Sequence, residues 1–291
     1  MVTLVTVEKL LKEGIKIIHQ REYNNPILDV QLILAHLFQK DRIYLHLHRN
    51  DKVDAETAVK FYEMAKKRNA GYPLQYMLNS QEFMGLDFYV KEGVFVPRSD
   101  TETLVEKIIE IVNNGPLKNK NIRILDIGTG SGAIAVSLGY YLKNSMVEAM
   151  DLDSRALETA NINIKKHGLK NVMTFKGDIF NYDFSRKFDI VVSNPPYIER
   201  EEIDDLTAEV SVYEPRLALD GGIDGLNYYR RIVRIFEKVH GESAILSVEI
   251  GYNQKRAVTE IFNAGNMFKR IECDKDLCRN DRVVTGFLGE V

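Results

Sequence analysis

Phe188 to Val192 is a short, mostly apolar run rich in β-branched residues, and it leads directly into Asn194-Pro195-Pro196-Tyr197. A run of that length bounded by turn residues is the pattern of a strand buried in a parallel sheet. It must stop at the two prolines, because neither has an N–H to give to a neighbouring strand. In open α/β sheets, ligands sit beyond the carboxyl ends of the strands. A side-chain amide, a backbone carbonyl and an aromatic ring are therefore expected to be held rigidly at such an end. Taken alone, the segment is also explained as a rigid turn that closes a strand, and the rest of the chain decides between the two.

From Asn121 onward the pattern alternates between strand and helix, which implies a doubly wound, mostly parallel sheet. Strands are expected over 122–127, 146–150, 172–176, 188–192 and 244–250, with helices over 154–167, 226–239 and 254–264. Two more strands, near 268–272 and 282–288, follow one another without a helix and so predict an antiparallel edge pair. Residues 98–291 are read as one such domain.

Residues 1–78 read differently. Leu4, Val7, Leu10, Leu11, Ile15 and Ile18 recur at helical spacing, as do Ile27, Val30, Leu34, Leu37 and Phe38, and then Val59, Tyr62, Met64 and Ala65. Pro26 can open a helix after an Asn24-Asn25 cap, and Asp54 can cap the third. A small helical domain is expected, suited to gripping a macromolecule. Gly71-Tyr72-Pro73 breaks the pattern, and residues 79–97 carry two short strands around Gly85, read as a β-hairpin linker. Ser99-Asp100-Thr101-Glu102 has the spacing of a capping box, with Ser99 and Glu102 satisfying each other's backbone N–H. Arg98 has no such structural explanation.

Gly128-Thr129-Gly130-Ser131-Gly132, between a strand and a helix, lets a ligand approach the backbone closely. Ala133 completes the G-x-G-x-x-A form, so this loop alone also fits an NAD site. Asp151, at the next strand tip, can accept two ribose hydroxyls, which suits NAD and S-adenosylmethionine equally. Asp178 can accept an adenine amino hydrogen or cap a turn, and Ile179 can cover the base. Asn194-Pro195-Pro196-Tyr197 separates the two cofactors. Hydride transfer has no use for it, whereas methyl transfer to a planar nitrogen does. An amide nitrogen is a poor nucleophile, and the Asn194 oxygen with the Pro195 carbonyl can take both its hydrogens while Tyr197 packs on the plane.

The net charge of -3 gives no footprint for nucleic acid or an anionic membrane. Cys273 and Cys278 are the only cysteines and match no zinc spacing, so both are read as free thiols. No secretory leader or membrane-length apolar run is seen, which predicts a cytoplasmic protein. A monomer is expected.

These residues resemble the class I S-adenosylmethionine methyltransferases, and the whole chain resembles the HemK/PrmC family. The likeness runs through Gly71-Tyr72-Pro73, Glu82-Phe83-Met84-Gly85, Val94-Phe95-Val96-Pro97-Arg98 with Thr101-Glu102, Asp126-Ile127-Gly128-Thr129-Gly130 and Asn194 to Ile198. It continues through Glu214-Pro215, Leu219 to Gly222, Asp224-Gly225-Leu226, Glu249-Ile250-Gly251 and Asp281-Arg282-Val283. The resemblance implies a Rossmann-like, seven-stranded domain that moves a methyl group from S-adenosyl-L-methionine to the glutamine of the Gly-Gly-Gln motif in peptide chain release factors. By the same analogy Gly128 to Gly132, Asp151, Asp178, Ile179 and Asn194 contact the cofactor, and Asn194, Pro195, Pro196 and Tyr197 hold the glutamine. Ser99 stands where the family usually has a proline, and Ile179 where some members carry an aromatic. Three rivals remain: a ribosomal-protein glutamine methyltransferase, an adenine-N6 DNA methyltransferase, which the net charge disfavours, and an idle binding module.

Overall fold

The computed structural model describes residues 5–21 and 23–289, which fall into two compact units. One comprises Met1–Ser80 with Leu206–Tyr213, the other Gln81–Asp205 with Glu214–Val291.

The first unit is helical. A two-residue pairing of β1 (Val5–Thr6) with β2 (Lys52–Val53) precedes and divides its helices. These are α1 (Val7–Ile17), α2 (Pro26–Phe38), α3 (Arg42–Leu47), α4 (Ala55–Asn69) and α5 (Leu74–Leu78). α2 opens at Pro26, with the Asn25 side chain accepting the N–H groups of Ile27 and Leu28, and Asp54 caps α4 through the Thr57 N–H. Val7, Leu10, Val30, Ile33, Leu34, Leu45 and Phe61 make the core. Three positions expected on the apolar faces lie outside it: Ile15 is 38% exposed, Ile27 57% and Val59 55%. Val30, Ile33 and Leu34 are the buried positions of α2, and Ile27, in its first turn, is left exposed. Leu4 lies outside the described residues. Arg68 is buried between Asp29 at 2.7 Å and Glu209 at 3.0 Å, which holds the 206–213 segment in this unit.

The second unit is built on a seven-stranded sheet. The hairpin of β3 (Gln81–Phe83) and β4 (Leu86–Phe88) comes first. The sheet strands are β5 (Ile122–Ile127), β6 (Ser145–Asp151), β7 (Val172–Lys176), β8 (Phe188–Ser193), β9 (His240–Glu249), β10 (Arg270–Lys275) and β11 (Asp281–Phe287). Their order is β10-β11-β9-β8-β5-β6-β7. Every pairing from β7 to β9 is parallel, and β11 runs antiparallel to both β9 and β10. The doubly wound sheet and its antiparallel edge pair are as expected.

Period-two alternation sends Ile124, Ile190 and Val192 to one face and Leu125, Val191 and Leu246 to the other. The first face is covered by α6 (Glu102–Asn114), α7 (Ala133–Tyr141) and the hairpin residues Phe83 and Phe88. The helices Asn227–Val239 and Lys255–Asn263 cover the second, through Tyr229, Ile232, Phe236, Val258 and Phe262. A further helix, α8 (Ser154–Lys166), follows β6.

The capping box does not form. Ser99–Thr101 makes one 3₁₀ turn, and the start of α6 has no side-chain cap. The Glu102 carboxylate instead accepts the Met84 N–H at 2.6 Å, because the hairpin turn brings it an N–H that no strand neighbour can satisfy.

Candidate active site

The sheet register sets five strand ends side by side. Ile127 pairs with Ser193 on one side and with Met150 on the other, so Gly128, Asn194 and Asp151 each begin at the same level. Asp151 pairs with Lys176, two residues before Asp178, and Val248 pairs with Ser193, which puts Glu249 beside Asn194. The strand order reverses between β5 and β8, the position where such sheets open a crevice.

Gly128, Gly130 and Gly132 all have positive φ, at 76°, 58° and 85°. A Cβ on Gly128 or Gly130 would meet no heavy atom within 4 Å, so the backbone there faces open space. On Gly132 it would come within 3.0 Å of the Ala160 Cβ of α8, so this glycine allows the loop to close on that helix. Ser131 is buried, and its carbonyl accepts from Asn163 Nδ2 at 2.8 Å. Thr129 donates to Asp126 Oδ2 at 2.6 Å. Asp126 is wholly buried with no partner for Oδ1 among the described residues. Burial pushes its carboxyl up to about 7, with the Asp151 charge adding and Thr129 opposing.

Asp151 Oδ2 accepts the Gly130 N–H and Oδ1 the Asp153 N–H, both at 2.9 Å. Those bonds orient the carboxylate and leave each oxygen a further lone pair. Burial raises this carboxyl, and the two N–H groups partly counter it. The open backbone at Gly128 and Gly130, the oriented Asp151 and the orphaned Asp126 oxygen fit a nucleoside with a charged amino-acid tail, as S-adenosylmethionine is. Asp178 is committed to its own turn: Oδ1 accepts the Phe180 N–H at 2.9 Å and Oδ2 accepts from Asn181 Nδ2 at 2.6 Å. Ile179 is buried, while Phe180 beside it is exposed with its ring 5.5 Å from that of Tyr228. Burial, then the charges of Asp220, Asp178 and Asp151, raise the Tyr228 phenol, so it stands in the same acidic field.

At the end of β8, Asn194 donates from Nδ2 to the Thr101 hydroxyl at 3.0 Å, with its side-chain oxygen free of that bond. The Tyr197 phenol donates to Glu249 Oε1 at 3.4 Å, and its carbonyl accepts from Gln254 Nε2 at 2.9 Å. Gln254 Oε1 in turn accepts the Tyr229 phenol at 3.2 Å and the Gly251 N–H at 3.0 Å. Gly225, at φ 67°, packs so closely that a Cβ would lie 2.4 Å from the Tyr197 carbonyl oxygen. Pro195 and Pro196 carry no N–H, and the chain leaves the sheet there. Burial pushes Glu249 up to about 7, with Thr101, Arg282 and Tyr197 opposing and Asp100 adding. Burial first, then the Glu249 charge, raises the Tyr197 phenol well above its ordinary range.

Arg98 pairs with buried Glu214 at 2.7 Å, its guanidinium 5.0 Å over the Phe95 ring, which supplies the structural role the sequence did not. Sequence reasoning assigns no role to Tyr228, Gln254 or Asn163, and it meets Thr101 only within motifs. Glu249 enters it only within a motif, although a carboxylate closing an apolar strand is a readable signal.

Comparison with known proteins agrees with this geometry. Residues 9–78 match the PrmC N-terminal domain family and residues 86–222 the Methyltransferase small domain family. The chain is 36% identical over 282 residues to the release factor glutamine methyltransferase of Clostridium botulinum, covering 96% of this chain and 98% of that protein. It is 38% identical over 265 residues to the release factor glutamine methyltransferase of Clostridium acetobutylicum, covering 90% and 91% respectively. Among solved structures, the T. thermophilus 16S rRNA N2 G1207 methyltransferase in complex with AdoMet and guanosine shares the fold. It matches at a TM-score of 0.50 and 16% identity, over 72% of this chain and 49% of that one. The sheet order, the glycine loop and 36–38% identity to two such enzymes over most of the chain converge: this chain belongs to the release factor glutamine methyltransferase family.

Proposed function

We propose that this chain transfers a methyl group from S-adenosylmethionine to the side-chain amide nitrogen of the glutamine in the Gly-Gly-Gln motif of peptide chain release factors. The observation that carries this reading is the Asn194 amide. It stands level with the glycine loop, tied through Nδ2 to Thr101, in a chain whose relatives are named for glutamine methylation.

When bound, S-adenosylmethionine supplies an electrophilic sulfonium methyl. Gly128, Thr129, Gly130, Ser131 and Gly132 would cradle its tail, Asp151 its ribose, and Ile179 with Asp178 the adenine end, with Asn194 alongside. The Asp178 oxygens are already engaged in the turn, so the share of that residue is to hold Ile179 in place.

The substrate amide nitrogen has its lone pair delocalised and needs fixing in space. Asn194 Oδ1 and the Pro195 carbonyl accept its two hydrogens, Tyr197 packs on the amide plane, and Pro196 keeps the segment stiff. Alignment of this kind supplies several kcal/mol, with roughly 7–11 as the range for ideal intramolecular geometry. The surplus proton leaves to water after the C–N bond forms, so no strong base is required.

Helical residues 1–78 would grip the release factor around the glutamine, residues 79–97 would link, and residues 98–291 would hold the chemistry. A partner of that kind places the enzyme in the cytoplasm. No helix among the described residues is long and apolar enough to cross a membrane.

Tandem mass spectrometry of a release factor incubated with the chain and S-adenosylmethionine tests the reading. A methyl on the Gly-Gly-Gln glutamine side chain supports it. A methyl found instead on a ribosomal-protein glutamine or on DNA adenine in the same mixture refutes it.

A further inference from the structure

Once it leaves the sheet, the backbone from Asn194 to Tyr197 has few groups with which to fix itself, since Pro195 and Pro196 carry no N–H. The near end is anchored. Ser193 pairs with Ile127 and Val248, and its hydroxyl donates to the Ile127 carbonyl at 2.7 Å. Past the far end, the Ile198 N–H donates to the Leu219 carbonyl at 3.0 Å, and the Ile198 carbonyl accepts the Gly221 N–H at 2.8 Å. The last peptide of the tetrapeptide itself is held by a side chain from the turn after β9, Gln254.

Gln254 Nε2 donates to the Tyr197 carbonyl at 2.9 Å and lies 3.4 Å from the Gly225 carbonyl. Its Oε1 accepts the Gly251 N–H at 3.0 Å and the Tyr229 phenol at 3.2 Å. These surroundings leave the amide one way round, because a backbone N–H can only donate and the two carbonyls can only accept. One side chain therefore ties together the tetrapeptide, residues 221–225 and the turn after β9. Two glycines close on the same peptide. A Cβ on Gly221 would lie 2.8 Å from the Tyr197 Cα, and one on Gly225 2.4 Å from the Tyr197 carbonyl oxygen.

We propose that Gln254 is a positioning residue of the transfer. By holding the Tyr197 carbonyl it sets the line of the Pro-Pro segment, and so where the Pro195 carbonyl and the Tyr197 ring stand relative to the Asn194 oxygen. It acts through Tyr197 and not on the reacting atoms. This rests on the reading of Asn194 to Tyr197 as the seat of the substrate amide. An amide nitrogen has to be aimed at the methyl, and a misplacement of about 1 Å in such an alignment costs about 100-fold in rate.

A double-mutant cycle on the full chain tests this. Gln254→Met keeps the length of the side chain and removes both ends of the clasp, whereas Gln254→Glu keeps an acceptor for Gly251 and removes the donor to Tyr197. Both are assayed on a purified release factor beside Asn194→Ala and the Gln254→Met, Asn194→Ala double variant. Calorimetry with S-adenosylmethionine counts the cofactor-binding sites in each preparation and gives their affinity, so that kcat is expressed per site. Each Gln254 variant is expected to lose roughly 10- to 100-fold in kcat per site. Cofactor affinity should stay within about twofold and KM for the release factor within about threefold. The double variant should be less than about threefold slower than the slower single variant, as for residues acting as one unit.

Wild-type kcat per site in Gln254→Met, with fewer sites, would mean that the clasp only stabilises the fold, and it overturns the proposal. So do losses that multiply in the double variant, or cofactor affinity falling in proportion to kcat. If Gln254→Met binds no cofactor, Gln254→Glu decides, and wild-type kcat per site there overturns the proposal. A release factor left unmethylated by the wild-type chain is a different result, since it refutes the substrate reading on which this rests.

Discussion

Asp126 and Glu249 are carboxyl groups that water does not reach, and burial pushes each from its ordinary value of 3.8 or 4.5 up to about 7. Each therefore holds its proton more tightly in the folded chain than in the unfolded one. Between about pH 4 and about pH 7 the folded state binds more protons, so these two groups make stability fall as pH rises through that interval and level off above it. Urea midpoints measured from about pH 5 to about pH 8 should decline for the wild-type chain and decline less steeply for Glu249→Gln. Equal slopes would contradict the assignment. At this scale the sequence is uneven. Asn194 is legible because two prolines end the strand directly after it and hold it at the sheet's edge. Thr101 is not, since it reaches Asn194 from a 3₁₀ turn far away in sequence, and Glu249, readable as a carboxylate closing an apolar strand, comes beside Asn194 only through sheet register. Glu102 misleads, because its local spacing matches a capping box while the Met84 N–H is there to take the carboxylate.

Among the elements, the glycine loop separates packing from binding. Gly132 and Gly130 both sit at positive φ, where any other residue pays about 1–2 kcal/mol. Only at Gly132 does a neighbour, Ala160, also stand in the way of a Cβ. Gly132→Ala should therefore lower Tm more than Gly130→Ala, and Gly130→Ala should weaken S-adenosylmethionine binding by more than its small loss of stability explains. Equal Tm losses in a thermal scan would count against this. In the helical unit, Arg68→Met leaves Asp29 and Glu209 without their buried cation, and the expected cost is about 3–5 kcal/mol by urea unfolding. A loss below about 1 kcal/mol, the worth of an exposed pair, would mean that the ion pair is solvated. The strands are readable because apolar, β-branched runs between turn residues announce buried parallel strands. Helix faces are less so: Ile27 fits the spacing but lies in the first turn of α2 and is exposed, and Val59 is exposed because the phase set by Phe61 and Ala65 turns it outward.

For the whole molecule, each unit has its own core, and the sheet-based unit carries the glycine loop, Asp151 and the strand-end tetrapeptide. A chain lacking residues 1–80 should still bind S-adenosylmethionine but lose methylation of an intact release factor; unimpaired turnover would contradict the gripping role given to the helices. The order of strands and helices can be read along the chain, whereas the inclusion of residues 206–213 in the helical unit cannot, because it depends on Arg68 meeting Glu209 far along the chain. The central claim is that the Asn194 end of β8 presents a glutamine amide for methylation. It is tested most directly by transfer of label from S-adenosylmethionine to a purified release factor, with wild-type and Asn194→Ala enzyme on wild-type and Gly-Gly-Ala substrate. Losing the Asn194 acceptor leaves a buried N–H unpaired, about 1–3 kcal/mol or roughly 5- to 150-fold in rate before any loss of alignment. The account predicts label only where both the glutamine and Asn194 are present, with cofactor still bound by the variant enzyme. Undiminished label in Asn194→Ala, or label that persists on the Gly-Gly-Ala factor, would contradict it.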